Sequence, residues 1–299
     1  MFKIGIDLGG TRIKIGLVDE KGRIFNRREV NTPFNVKKEA LIDSIVTNVR
    51  GIVKNSRIKK SMVAGVGIGV PGPVDSKRGI VHYFPNIKGW ENVPLKAILQ
   101  KRLMFRVAMD NDVNAMAIGE YTFGAGKGAS NLICITLGTG VGGGIIINGE
   151  IYRGKTMVAG EIGHVPINET GPRCNCGGIA CLERYIGNRY ILKRAQKAFG
   201  KSITLEKLNK LARDGNKRAK KIWEDVGQKL GTALTGAVNL LNPDRIIIGG
   251  GVSKAGELIL KPVRNEIKKR AMRDHASHVT IVRSKLGENA GIIGASLLV

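Results

Sequence analysis

The chain has 299 residues, 42% of them hydrophobic and 24% charged, which is enough to bury the core of one large domain or two smaller ones. Its net charge of +25 suggests nucleic-acid binding, but the basic residues are dispersed and only 5% of residues are aromatic, which argues against base-stacking platforms. The sequence contains no apolar run of bilayer length and no signal-peptide core. We therefore expect a cytoplasmic protein with reduced thiols and with neither nucleic-acid nor membrane partners.

The first part of the chain reads as alternating strands and helices. Its apolar periodicities and turn signals predict strands at 2–8, 11–18, 23–30, 62–70 and 105–110, with helices at about 36–54, near 93–103 and from 111 onward.

The pattern then restarts. The stretch "ITLGTGVGGGIIINGE" has the same strand, glycine turn, strand and polar turn as "GIDLGGTRIKIGLVDEKG". Asp7 precedes Thr136 by 129 residues, and Asp19 precedes Asn148 by the same distance. The second half continues with a cysteine-rich loop at 174–183, mostly helix over 188–241, a strand in "DRIIIGGG", a helix to about 273, a strand in "HVTIVRS" and a helix from 289. Two α/β halves with matching hairpins indicate a duplication.

Three glycine clusters are candidates for binding phosphate or nucleotide. They are "DLGGT" at 7–11, "LGTGVGGG" at 137–144 and "IIIGGGVS" at 246–253. Turns without side chains let an anion approach backbone N–H groups, and adenosine can lie against bare backbone. None fits the P-loop or dinucleotide fingerprint.

Two further stretches carry reactive side chains. "MDNDVNA" brings Asp110, Asn111 and Asp112 from a buried strand into a helix start, where each is either a helix cap or a functional group. "CNCGGIACLE" places three cysteines within eight positions, which suits either a zinc site completed by His164 or free thiols. Cys134 lies in an apolar strand and is predicted to be a core residue.

Over its whole length the sequence resembles the ROK sugar kinases, a branch of the actin-like ATPase superfamily. The matching stretches are "DLGGT", "VPGPVD", "PNIKGW", "NDVNA", "LGTGVGGG", "GEIGH" and "CNCGGIACLE". The resemblance implies the duplicated α/β, ribonuclease H-like fold, with two domains and a cleft between them. It implies a smaller domain of residues 1–115 plus 287–299, and a larger domain of residues 116–286 with the zinc loop and dimerisation helices.

The resemblance also implies site residues and cofactors. The catalytic base is Asp112, and the sugar ligands are Gly72, Asn86, Asn111, Asp112, Glu161, His164 and Glu183. ATP and Mg²⁺ are bound by Asp7, Gly9, Gly10, Thr11, Gly138, Thr139, Gly140, Gly249, Gly250 and Gly251. Structural zinc is bound by His164, Cys174, Cys176 and Cys181. Without the family, a turn-capping carboxylate explains Asp7 equally well.

One position departs from the family pattern, which usually has glycine just before the third cysteine. This chain has Ala180 there. The methyl group costs up to about 1 kcal/mol if the position requires a positive φ.

The expected activity is ATP-dependent phosphorylation of a hexose 6-hydroxyl, with glucose expected because "PNIKGW" resembles the glucokinase members. The alternatives are an N-acetylglucosamine or N-acetylmannosamine kinase, a fructose or mannose kinase, and a sugar-responsive ROK transcriptional regulator. The regulator is disfavoured because it requires a helix-turn-helix module ahead of the first strand, which begins here at Phe2. The family and the long helical stretch also predict a homodimer, with a tetramer as the alternative.

Overall fold

The first 127 residues form a mixed sheet with the strand order β3-β2-β1-β4-β8, together with helices and a small second sheet, β5-β6-β7. The elements are β1 (Phe2–Leu8), β2 (Arg12–Asp19), β3 (Ile24–Asn31), α1 (Lys38–Asn55), β4 (Val63–Val70), β5 (Val74–Asp75), β6 (Ile80–Tyr83), β7 (Glu91–Val93), α2 (Leu95–Leu103), β8 (Val107–Asn111) and α3 (Asp112–Phe123). The structure is a computed structural model that describes residues 1–84 and 87–299.

The remaining residues repeat this alternation. The elements are β9 (Leu132–Leu137), β10 (Val141–Ile147), β11 (Glu150–Tyr152), α4 (Glu183–Ile186), α5 (Asn188–Phe199), α6 (Leu205–Arg213), α7 (Lys217–Leu241), β12 (Arg245–Gly249), α8 (Glu257–Arg270), α9 (Arg273–His278), β13 (Thr280–Arg283) and α10 (Ala290–Ser296). Short 3-10 helices occupy Ile162–His164 and Gly251–Ala255.

The chain divides into two units, one of residues 1–127, 150–159 and 286–299, the other of residues 128–149 and 160–285. The boundaries expected from the sequence lay at residues 115 and 287, so the structure adds 116–127 and 150–159 to the first unit. Each unit has its own apolar core. Among the described residues, no helix combines the length and the apolar character that a membrane span requires.

The two glycine hairpins have the same topology, as the duplication predicts. β1 pairs antiparallel with β2 and parallel with β4, and β4 pairs parallel with β8. β9 likewise pairs antiparallel with β10 and parallel with β12, and β12 pairs parallel with β13. In each unit, the hairpin turn therefore lies at the edge where the parallel strands have their carboxyl ends. This edge is where open α/β sheets bind ligands.

The sequence patterns did not predict the short strands β5, β6, β7 and β11. The stretch "PGPVD" contains β5, because Val74 and Asp75 pair with Val81 and Ile80. Such two- to four-residue strands have too few positions to show a period of two.

Helix α10 packs closely against the first unit's sheet and α3, and this contact depends on glycine. A Cβ atom added at Gly294 would lie 1.6 Å from the carbonyl oxygen of Ala115 in α3. One added at Gly67 in β4 would lie 1.7 Å from the carbonyl oxygen of Ala295. Glycine at these positions brings α10 against the sheet that carries Asp7 and against the helix that begins at Asp112.

We predict opposite effects on stability for two glycine-to-alanine changes in helices. Gly294→Ala should lower the free energy of unfolding by about 3 kcal/mol, because backbone atoms cannot move aside for the new methyl group. Gly236→Ala in α7 has no atom within 4 Å of the added Cβ, so it should be neutral or stabilising by up to about 1 kcal/mol. Urea denaturation of both variants checks this, and equal midpoints would contradict the close contact.

Candidate active site and metal cluster

The aspartate-rich loop lies at the carboxyl end of β8, where the strand runs directly into α3. The Oδ1 atom of Asn111 accepts hydrogen bonds from the backbone N–H groups of Val113 and Asn114, at 2.8 and 3.3 Å, and so caps the helix. Its Nδ2 atom donates to the carbonyl oxygen of Gly72, at 3.2 Å. Two predicted sugar ligands, Asn111 and Gly72, are therefore in contact, although Asn111 also serves as the cap.

Asp110 is the most buried member of the trio. Its side chain is 1% exposed, and Oδ1 accepts from the backbone N–H of Asn111 and from Nδ2 of Asn114. Its Oδ2 atom accepts a hydrogen bond from Nε of Arg153 at 2.8 Å and forms an ion pair with Nη2 of the same side chain at 2.6 Å. The buried carboxylate thus anchors the start of α3 through three hydrogen bonds and an ion pair.

Asp112 is the first residue of α3 and is partly buried. Its Oδ1 atom lies 3.0 Å from the N–H of Val113. A Cβ atom added at Gly69 would lie 3.1 Å from the Cα atom of Asp112, so the loop passes directly over glycine in β4. The carboxylate is therefore held by backbone on one side, in a loop whose fold Asp110 fixes.

The first glycine hairpin is closed by backbone and threonine contacts. The N–H of Gly9 donates to the carbonyl of Arg12, and Thr32 Oγ1 donates to the carbonyl of Gly9, at 2.9 and 2.7 Å. Thr11 accepts a backbone hydrogen bond from Thr32. A Cβ atom at Gly10 would meet nothing within 4 Å, so backbone is open to a ligand there.

Asp7 lies one strand residue before this turn and is mostly buried. Burial raises the pKa of its carboxyl group above the ordinary range, and Lys14 opposes that rise. The Nζ atom of Lys14 lies 3.8 Å from Asp7 Oδ2. A largely buried carboxylate beside this predicted phosphate-binding turn has the donor chemistry that Mg²⁺ prefers.

The second glycine hairpin is tied to the helices that follow the cysteine loop. Glu183 Oε2 accepts from the N–H of Val141 at 2.9 Å, and the carbonyl of Gly138 accepts from the N–H of Asn188 at 2.9 Å. A Cβ atom at Gly140 would lie 2.6 Å from Glu183 Oε2, whereas one at Gly138 would meet nothing within 4 Å. Glu183, predicted as a sugar ligand, thus also holds the predicted phosphate hairpin.

The third glycine cluster follows β12. Gly250 has a φ of +80°, and a Cβ atom there would lie 2.3 Å from the carbonyl of Leu137. Ser253 Oγ donates to the carbonyl of Gly250 at 2.8 Å. Gly249 ends the strand, while Gly251 has open space at its Cβ position. The third glycine cluster therefore packs against the end of β9, which leads into the second glycine hairpin, and it leaves the backbone uncovered at Gly251.

His164, Cys174, Cys176 and Cys181 form a cluster whose ligand atoms all lie within 4.8 Å of one another. Cys176 Sγ lies 3.6 Å from Cys181 Sγ, and Cys174 Sγ lies 3.7 Å from His164 Nδ1. Tetrahedral zinc with bonds of about 2.3 Å to sulfur and 2.0 Å to nitrogen puts neighbouring ligand atoms about 3.5–3.8 Å apart. The four side chains therefore fit such an ion. None of the four cysteines is joined in a disulfide, and Cys134 is buried in β9.

The surroundings of the cluster set the protonation of its thiols. Burial, followed by the Cys176 and Cys174 thiols, raises the pKa of Cys181 to about 12. The N–H of Gly178 lowers the pKa of Cys176. Metal binding at neutral pH therefore has to displace the proton of Cys181.

The histidine and its loop connect this cluster to Glu161. His164 Nε2 lies 3.8 Å from Glu161 Oε2 while Nδ1 faces Cys174. Burial raises the pKa of Glu161, with Glu183 adding to the rise and His164 opposing it. Ala180 has a φ of +52° and a fully buried side chain, so the methyl group occupies the left-handed backbone for which glycine is favoured.

The family model described as the ROK family matches residues 3–299. The chain belongs to the ROK family. A glucokinase from Thermotoga maritima is 36% identical over 310 residues, covering 99% of this chain and 96% of that protein. The xylose repressor of Caldicellulosiruptor bescii is 33% identical over 309 residues, covering 99% of this chain and 77% of that protein.

The solved structures give the same relationship. A ROK family glucokinase from Streptomyces griseus, in complex with glucose and AMPPNP, superposes with a TM-score of 0.88 at 37% identity. The match covers 100% of this chain and 99% of that one. The chain therefore has the actin-like ATPase fold of the ROK sugar kinases, as the sequence predicts.

The sequence motifs did not predict two contacts that shape the candidate site of this ROK protein. Arg153 contacts Asp110 across 43 residues of sequence, and Glu183 contacts Val141 across 42. "YRG" and "CLE" contain these residues but say nothing of their partners. Asn86, predicted as a sugar ligand, lies outside the described residues.

Proposed function

We propose that this chain catalyses ATP-dependent phosphorylation of the 6-hydroxyl group of glucose. The observation that carries the proposal is the loop at the start of α3, where Asp112 follows a capping Asn111 and a fully anchored Asp110. Such a loop holds one carboxylate in a fixed position, which is what a base beside an attacking hydroxyl requires. The match to a structure that contains glucose and AMPPNP agrees with this substrate pair.

In the proposed reaction, the oxygen of the sugar 6-hydroxyl attacks the γ-phosphorus of ATP while Asp112 accepts the hydroxyl proton. The bond from the γ-phosphorus to the β,γ-bridging oxygen breaks, and ADP leaves. Asn111 and the Gly72 backbone bind sugar hydroxyls in the first unit, and Glu161, His164 and Glu183 do so in the second. The open backbone at Gly10 and Gly138 binds phosphate oxygens, and that at Gly251 lies against adenosine. Asp7 would hold Mg²⁺ through water, and the ion would supply charge neutralisation at the phosphates.

The cysteine cluster is proposed to hold a structural zinc ion. With three thiolates and one imidazole, the protein fills all four positions of a tetrahedral ion, so water has no open site. The ion would fix His164 and the segment leading to Glu183. Zinc therefore supports the sugar ligands and takes no part in the chemistry.

A coupled assay with Mg-ATP against a panel of hexoses tests the proposal. Glucose should give the highest kcat/KM, ahead of N-acetylglucosamine, N-acetylmannosamine, fructose and mannose. A higher value for any of these four would replace glucose as the substrate, and turnover of none would contradict a hexose kinase.

A sugar-responsive regulator is the second candidate, because the relatives at 33% identity include xylose repressors. Binding to DNA at physiological salt, with no turnover of any sugar, would favour it over the kinase. Turnover of a sugar, with no binding to DNA at physiological salt, would reject the regulator.

We also propose a homodimer in the cytoplasm. The helical segment from α5 to α7 ends at Leu241, and the side chains of Leu240 and Met272 are 84% and 59% exposed. They are close together, because the N–H of Met272 donates to Asn239 Oδ1. An exposed apolar patch of this kind is typical of an interface. Light scattering that gives a monomer mass over a wide concentration range would contradict the dimer.

The proposed cytoplasmic location is supported by the cysteines, none of which is joined in a disulfide.

A further inference from the structure

Three charged side chains lie side by side across the first sheet. Asp7 in β1 is the direct partner of Lys14 in β2, and Lys14 is in turn the direct partner of Glu29 in β3. Lys14 and Asp7 are about equally buried, with side chains 21% and 22% exposed. A cation therefore lies between two carboxylates in the sheet register and pairs with the inner one, next to the glycine turn at which phosphate binding is proposed.

The outer carboxylate already has two cationic partners. Glu29 Oε1 accepts from Arg12 Nη1, and its Oε2 accepts from Arg27 Nη2 at 2.9 Å. The group thus contains two carboxylates and three cations. Asp7 faces a surplus of positive charge, and the ammonium group of Lys14 is its ion-pair partner.

The distance between Lys14 and Asp7 matches that of a water-bridged magnesium ion. With Mg–O bonds of about 2.1 Å and a hydrogen bond of about 2.7 Å from the bound water, the ion stands about 4 Å from the carboxylate oxygen. Lys14 Nζ stands 3.8 Å from Asp7 Oδ2. Helix α10 closes another side of the carboxylate, since a Cβ atom at Gly291 would lie 2.7 Å from Asp7 Cγ.

We propose that Lys14 is a resident cation at the Mg²⁺ position of Asp7, which the metal ion has to displace when Mg-ATP binds. The inference rests on the proposed kinase function. Because two cations cannot share this shell without repulsion, Lys14 weakens the coupling between Mg²⁺ and nucleotide. The chain should therefore gain less nucleotide affinity from Mg²⁺ than it would without the lysine.

Calorimetric titration with AMPPNP, once with excess Mg²⁺ and once with EDTA, measures that coupling directly. The Kd in EDTA divided by the Kd in Mg²⁺ gives the gain in affinity that the metal provides. This ratio should rise at least ~10-fold in Lys14→Met, mainly through tighter binding of Mg-AMPPNP. Lys14→Arg should keep the ratio within about twofold of the wild type. Lys3→Met is the matched control, because it removes the same charge from β1 but lies four strand residues, about 13 Å, from Asp7.

The other outcomes separate competing roles of Lys14. If Lys14 instead binds phosphate, both Kd values rise together and the ratio stays constant, which overturns the proposal. If Lys14 only stabilises the fold, neither Kd changes, which also overturns it. Lys14→Gln replaces Lys14→Met if the methionine variant unfolds. A wild-type protein that binds AMPPNP in neither condition would overturn the kinase function together with this inference.

Discussion

Asp112→Asn should reduce turnover of glucose by at least ~100-fold, while glucose affinity and melting temperature change little. The amide keeps the size of the side chain and the oxygen that lies near the N–H of Val113, but it cannot accept a proton from the sugar. Steady-state kinetics with Mg-ATP, together with glucose binding by calorimetry, separate the two effects. Near-normal turnover would show that another group is the base.

The same substitution two residues earlier is the matched control. Asp110→Asn removes the charge that faces Arg153, whose side chain is only 30% exposed, so the guanidinium loses its buried partner. We expect the free energy of unfolding to fall by about 2–4 kcal/mol, because breaking a buried pair leaves one charge uncompensated. We expect Asp112→Asn to lose turnover without losing stability, and Asp110→Asn to lose stability. This pair of results would distinguish the catalytic base, Asp112, from the residue that holds its loop, Asp110.

Much of the fold could be predicted from local patterns. The hairpins β1–β2 and β9–β10 each join short strands rich in apolar residues through a glycine turn, and both strands and turns lie where the sequence predicts them. Helix α1 was predicted from the spacing of Leu41, Ile45 and Val49, all of which are buried. These signals are short-range, and the repeated topology follows because the same signals occur twice.

The contacts that shape the site could not be predicted in the same way. Arg153 and Asp110 are joined only by the tertiary fold, and the sequence around Arg153 has no feature that names an acidic partner. Glu183 and Val141 are a similar case, because a side chain meets a backbone N–H that any residue would offer. The pair of Asp7 and Lys14 was not predicted either, although it is a local contact, since a tight hairpin sets those two residues opposite each other.

Ala180, where the family pattern has glycine, lies in the left-handed backbone region. The sequence predicts strain there only if the backbone has a positive φ, and the structure gives +52°. The methyl group is nevertheless fully buried, so its burial offsets part of the conformational cost. The loop therefore keeps a shape that brings Cys176 and Cys181 together despite the missing glycine.

Cys176→Ser should remove the proposed zinc ion and lower the melting temperature of the protein. Elemental analysis should fall from about one zinc per chain to well below that after dialysis, because losing a thiolate ligand weakens binding at least ~100-fold. Glucose binding should weaken as well, since His164 lies beside Cys174 and Glu183 follows Cys181 by two residues. Cys134→Ser is the control, because Cys134 is buried in β9 outside the cluster, so its serine variant should keep the zinc.

The exposure of Cys176 makes this variant a clean probe of the metal. Cys181 is almost fully buried, so its replacement would disturb packing as well as zinc binding, whereas Cys176 is exposed and its thiol adds little to packing. In the presence of a strong chelator, the wild type and Cys176→Ser should therefore melt at the same temperature. With zinc present, only the wild type should melt higher. A difference that persists in chelator would mean that the thiol itself stabilises the loop, and a wild-type protein that binds glucose normally without zinc would disprove the role of the ion.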